Sequence, residues 1–98
     1  MIRKIAIICG AGIATSTFVF NKLQKLCKEH DIEVKFATGL ALEADRLSHG
    51  ADLIVATTPI QKDYGIPVVN GIPFLTGLGE EETKLKILEL LKNEKIGE

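Results

Sequence analysis

From Lys4 to Cys9 the chain reads Lys-Ile-Ala-Ile-Ile-Cys, an almost unbroken apolar run. A strand with one wet face would alternate. A run without alternation fits a strand buried on both faces of a parallel sheet. It leads directly into Gly10-Ala11-Gly12, and helical spacing begins after that. Strand, tight turn and helix form the opening half of a βαβ unit, which implies a parallel sheet covered by helices.

The rest of the chain continues this alternation. A helix is expected from Ile13 to His30, with Val19, Leu23, Leu26 and Cys27 inward and Lys22, Lys25, Lys28 and Glu29 in water. Asp31 to Thr38 alternates through Ile32, Val34 and Phe36, a second strand nearer an edge, and Gly39 breaks the chain. A short helix from Leu40 to His49 would turn Leu40, Ala44 and Leu47 inward and stop at Gly50. Asp52 to Thr57 is the third strand, ended by Pro59, and the stretch from Ile60 to Ile66 has room for one helical turn. Pro67 to Asn70 is a fourth strand. Gly71 to Gly79 reads as a loop exposing Phe74 and Leu75. The last helix starts near Glu80. Glu80, Glu81 and Glu82 complement its dipole, and Leu85, Ile87, Leu88 and Leu91 face inward.

This β-α-β-α-β-β-α string predicts an α/β fold, a three-layer αβα sandwich around a four-stranded parallel sheet. Right-handed crossovers give the order 2-1-3-4, a truncated flavodoxin-like or Rossmann-like arrangement similar to that of low-molecular-weight tyrosine phosphatase. Ninety-eight residues make one domain, 1–98. A net charge of −1 removes the electrostatic case for nucleic acid and for a polybasic membrane anchor. The apolar start is too short for a signal peptide, and no run has the length of a membrane span, so a cytoplasmic protein is expected. The two cysteines, Cys9 and Cys27, form no Cys-x-x-Cys, and with His30 and His49 they match no metal-ligand spacing. No metal or cofactor is called for. Cys27 reads as core and the histidines as surface residues.

The chemistry is concentrated in Cys9-Gly10-Ala11-Gly12-Ile13-Ala14-Thr15-Ser16-Thr17. Glycines let a backbone turn tightly and approach a ligand closely. Free amides at a helix N-terminus, with the dipole behind them, attract an anion, and consecutive amides in the turn can add a nest. The thiolate is the nucleophilic form of cysteine, and the same amides can hold the oxygens of a phosphate bonded to it. Thr15, Ser16 and Thr17 supply hydroxyls beyond what one helix cap needs. Thr57 and Thr58, at the end of the third strand, are candidate rim residues, though strand termination accounts for them equally. A buried structural role for Cys9 is the competing explanation.

Other phosphate motifs fail at particular residues. The dinucleotide fingerprint wants glycine where Thr15 stands and an acidic residue near Thr38. The ATPase loop needs a lysine that this loop lacks. A tyrosine phosphatase loop wants arginine at position 15, and Asp63 before Tyr64 is explained by a turn as readily as by a general acid.

The segment Cys9 to Thr17, after its Ile-rich strand, resembles the signature loop of galactitol-type IIB components of the bacterial sugar phosphotransferase system. Thr57-Thr58-Pro59 and the Gly71-to-Gly77 segment, Gly-Ile-Pro-Phe-Leu-Thr-Gly, extend the likeness along the chain. The resemblance implies a cytoplasmic phosphoryl carrier. A IIA protein would donate phosphate from a phosphohistidine to Cys9, and Cys9 would pass it to a sugar or polyol held by a membrane IIC protein. Cys9 would be the nucleophile, and Gly10 to Thr17 the phosphate-binding loop. Two alternatives stay open on the residues alone: a cysteine phosphatase or arsenate-reductase-like enzyme, and a non-catalytic regulatory domain.

Overall fold

The computed structural model describes residues 3–10, 13–60 and 64–92. Four parallel strands form one sheet in the order β2-β1-β3-β4. They are β1 (Arg3–Cys9), β2 (Val34–Leu40), β3 (Leu53–Ala56) and β4 (Val68–Asn70). The apolar runs take the two central places. β1 pairs with β2 along its whole length, from Arg3 with Val34 to Cys9 with Leu40, and with β3 from Ile5 with Leu53 to Ile8 with Ala56.

Because side chains alternate across a strand, each central run serves two cores. Ile5, Ile7, Cys9, Leu53 and Val55 face α1 (Ile13–Glu29) and α4 (Glu80–Lys92), packing on Val19, Leu23, Ile87 and Leu91. Ala6, Ile8, Ile54 and Ala56 face the other way, against Ala44 and Leu47 of the short α2 (Ala44–Ser48). Ile60, Tyr64 and Ile66, from the connection between β3 and β4, complete that second layer. The helical turn considered for 60–66 centres on residues outside the described set. The predicted three-layer architecture and strand order are those observed. Among the described residues no helix is long and apolar enough to cross a membrane.

The details depart from expectation at four places. The second strand begins at Val34 rather than Asp31, because α1 ends in a Schellman motif. The amide of Asp31 donates to Lys28 O, and that of Ile32 to Cys27 O, with Asp31 left-handed at φ 56°. Aspartate tolerates that conformation better than most residues. Gly39 lies inside β2 instead of breaking it. Its role is steric, since a Cβ there would run into the Glu43 carboxylate and come within 2.7 Å of Leu47 Cδ1. Leu40 consequently ends the strand half-exposed instead of pointing inward from a helix. A 3-10 turn, Ala41–Glu43, then precedes α2, and Glu43 accepts a hydrogen bond from the Leu40 amide at 3.0 Å. That bond, and Arg46 at 2.7 Å, hold the Glu43 carboxyl below the ordinary range.

The third departure is the segment read as an exposed loop. Ile72–Thr76 forms a short helix, α3, whose Phe74 is buried against α1 and α4, while Leu75 stays partly exposed. The fourth is Leu85, which is 65% exposed. The inner seam of α4 runs through Lys84, Ile87, Leu88 and Leu91. Lys84 reaches Glu80 within α4 at 3.4 Å, and Lys22 of α1 reaches it at 3.0 Å, clipping α4 to α1; the Lys22 bond leads in holding the Glu80 carboxyl low.

Burial separates two neighbours that look alike in sequence. Phe74→Ala should cost about 3–5 kcal/mol, the usual range for deleting a buried aromatic ring. Leu75→Ala should cost less than about 1 kcal/mol. Urea unfolding of both variants measures the difference; equal losses would contradict this account of α3.

Candidate functional site

The strands end together at one edge of the sheet, and the chain is tied there for one residue further. The Thr57 amide donates to Ile8 O at 3.0 Å, and the Gly71 amide to Ala56 O at 2.7 Å. The connection through α1 covers one face of the sheet and the connection after β3 covers the other. The winding therefore reverses between β1 and β3, where ligands of open α/β sheets sit. Cys9 is the last residue of β1 at this reversal.

Three residues, 10–12, separate Cys9 from the first residue of α1. That helix runs back antiparallel to β1, so its N-terminus lies at the Cys9 edge. Its first-turn amides, from Ile13 onward, have no carbonyl partner within the helix and carry the positive end of a 17-residue dipole. The Cys9 side chain, 1% exposed, lies on the α1 and α4 face, and Gly10 beside it is exposed. Such burial is what a core thiol shows; a phosphoryl acceptor has to be reached from the exposed side at Gly10.

The predicted site residues distribute as follows. Ala11 and Gly12 lie outside the described residues. Ile13, Ala14, Thr15 and Ser16 open α1, and their side chains are not described. Thr17 is exposed one turn along, over β2, where with Phe20, Phe36 and Thr38 it lines a hollow of about 200 Å³. Thr57 and Thr58 line an open cleft of about 400 Å³ beyond β3 and β4, together with Pro59, Ile60, Val68, Asn70 and Ile72. Thr58 also abuts Gly10, and a Cβ built on that glycine would lie 3.1 Å from Thr58 Cβ and Oγ1. Asn70 was missed in the sequence. It ends β4 as Cys9 ends β1, and that shared strand-end position is the signal that could have found it. Its Oδ1 accepts from the Ile72 amide at 3.0 Å, and the residue lines the cleft beside Thr57 and Thr58.

Comparison with known proteins adds to this geometry. A family model described as "PTS system, Lactose/Cellobiose specific IIB subunit" matches residues 4–86. The galactitol-specific EIIB component of Escherichia coli K12 is 37% identical over 93 residues, covering 94% of this chain and 99% of that protein. The chain belongs to the phosphotransferase-system IIB family.

A second relative in the same bacterium, the putative phosphotransferase enzyme IIB component SgcB, is 38% identical over 91% of this chain and 97% of its own length. Two solved IIB structures share the fold. The lactose-specific IIB domain from Streptococcus pneumoniae superimposes with a TM-score of 0.60 at 18% identity, over 91% of this chain and 97% of its own. The cellobiose-specific IIB protein from Borrelia burgdorferi gives 0.56 at 19% identity, over 95% and 91%. As a IIB component the chain is a phosphotransferase of sugar uptake, a phosphoryl carrier whose partners are IIA and IIC components. Family membership favours that role over the phosphatase and regulatory alternatives.

Cys27 belongs to the core of this IIB component. It is buried on the inner face of α1, and burial pushes its thiol up to about 11. Only roughly one molecule in a thousand would carry a Cys27 thiolate at pH 8, so it is a poor nucleophile. In a Cys9→Ser background, iodoacetamide at pH 8 should leave Cys27 unmodified in the native protein and alkylate it in urea. Alkylation at equal rates in both would show that Cys27 is not shielded.

Proposed function

We propose that this IIB component carries its phosphoryl group on Cys9. In the first step the Cys9 thiolate attacks the phosphorus of a IIA phosphohistidine; an S–P bond forms, the N–P bond breaks, and the histidine leaves with the electron pair. In the second step a hydroxyl of the acceptor, held by the membrane IIC partner, attacks the same phosphorus. The S–P bond breaks, and the hydroxyl proton passes to a base at the acceptor. The site requires no metal or bound cofactor.

The observation that carries this reading is the meeting of Cys9, the reversal point of the sheet and the N-terminus of α1 at one edge. The amides of Gly10, Ala11, Gly12, Ile13 and Ala14 are the proposed oxyanion donors, with Thr15, Ser16 and Thr17 contributing amides and hydroxyls and Thr57 and Thr58 forming the rim. Preorganised donors aimed at developing charge act at no reorganisation cost during transfer. Threonine at position 15 suits a carrier, because no guanidinium is present there to speed cleavage by water. The residues 1–98 act as a single domain in the cytoplasm, where IIA and the inner face of IIC are both reachable. The acceptor is a polyol resembling galactitol: the sugars named for the family model differ from that of the 37%-identical relative, and the latter likeness spans nearly the whole chain.

Incubation with phosphoenolpyruvate and the upstream carriers should add one phosphoryl mass to the wild type and to Cys27→Ser. It should add none to Cys9→Ser. Equal labelling of Cys9→Ser would remove Cys9 from the reaction.

A further inference from the structure

We infer that Thr58 is a positioning residue for phosphoryl transfer, setting the turn after Cys9 by packing against Gly10; this rests on Cys9 being the acceptor. The need for glycine at position 10 is steric rather than conformational. The described glycines with positive φ are Gly50, Gly65, Gly77 and Gly79, so no left-handed φ at Gly10 forbids a side chain there. Alanine lacks only the room, because its Cβ would stand 3.1 Å from both Thr58 Cβ and Thr58 Oγ1. Ordinary contact between such atoms is several tenths of an ångström longer.

Thr58 can act as a wall because the backbone immediately before it is held. The preceding residue, Thr57, donates its amide to Ile8 O at 3.0 Å, which fastens the exit of β3 to β1 beside Cys9. On the other side the Gly71 amide donates to Ala56 O. The two threonines then separate in role. Thr57 turns its methyl toward Gly71, 3.3 Å from where a Cβ would be, while Thr58 turns toward Gly10. Of the two rim residues it is Thr58 that touches the turn. A shift of the Gly10 backbone moves every amide that follows Cys9, and transfer rates are sensitive to displacements of this size.

The test is a mutant cycle read by single-turnover and steady-state transfer from the phosphorylated IIA protein. Gly10→Ala should lower kcat by about 3- to 10-fold with KM within about two-fold, as expected for misplacement of reacting groups rather than loss of docking. Thr58→Gly alone should also lower kcat, because the wall is gone. Combining the two should restore kcat, since the alanine methyl refills the space. Gly10→Ala with Thr58→Ser should stay slow, because serine keeps both crowding atoms. Wild-type kcat in Thr58→Gly, additive losses in the double variant, recovery with Thr58→Ser, or an effect confined to KM would each overturn the inference. Those outcomes leave Cys9 as acceptor intact, whereas phosphorylation of Cys9→Ser would remove the premise itself.

Discussion

The structure depends on β1 being hydrogen-bonded on both edges and buried on both faces. An inner strand of a parallel sheet has no wet side, so Ile5, Ala6, Ile7 and Ile8 must all be apolar. Their alternation divides the molecule into its two cores. The same ladder fixes Cys9 in space: it pairs with Leu40 on one side, and the bond from Thr57 to Ile8 O lies beside it on the other. A side chain at the end of such a strand inherits the rigidity of the sheet, and the turn beyond it inherits the helix N-terminus of α1.

The site follows from that anchoring. The sheet brings together three chain exits, after Cys9, Ala56 and Asn70, and the backbone bonds across them continue one residue past the strands. What distinguishes one exit from another is side-chain bulk. Gly10 leaves room for Thr58, and Gly71 for Val55 and Thr57. In the proposed site the core fixes the sulfur, the helix N-terminus offers the donors, and the packing of Thr58 on Gly10 sets how the two face each other. The two cysteines show the contrast. Cys27, on the inner face of α1, has only the desolvation of burial, whereas Cys9 ends a strand three residues before a helix begins.

Much of this was legible in the sequence because the strongest signals coincide with the central elements. The apolar runs at Lys4 to Cys9 and Asp52 to Thr57 gave the inner strands. The β-α alternation with right-handed crossovers gave the order, and Cys9 before Gly-Ala-Gly marked the strand end at which the winding reverses. The misplaced features are those settled by tertiary contact. Phe74 sits in a segment whose glycines and proline mimic a loop, and only packing against α1 and α4 makes it core. Leu85 lost its inward place because Lys84, drawn to Glu80, lies on the seam instead. Gly39 looked like a breaker, yet its small size is what lets the chain pass Leu47 and stay in β2. Asp31 closed a helix in a role more usual for glycine, so local patterning extended the next strand too far. Thr58 was visible as a strand-end residue, but its contact with Gly10 joins positions 48 residues apart and has no local trace.

The account turns on where the phosphorus is bound during transfer. Phosphorus-31 NMR of the protein, phosphorylated by its upstream carriers and held without acceptor, reads the bonded atom directly. A single resonance in the phosphorothiolate region, lost in Cys9→Ser and discharged on adding IIC with its polyol, is the predicted result. A resonance in the phosphoramidate region, pointing to His30 or His49, or in the phosphate-ester region, pointing to a hydroxyl of the loop, would contradict it.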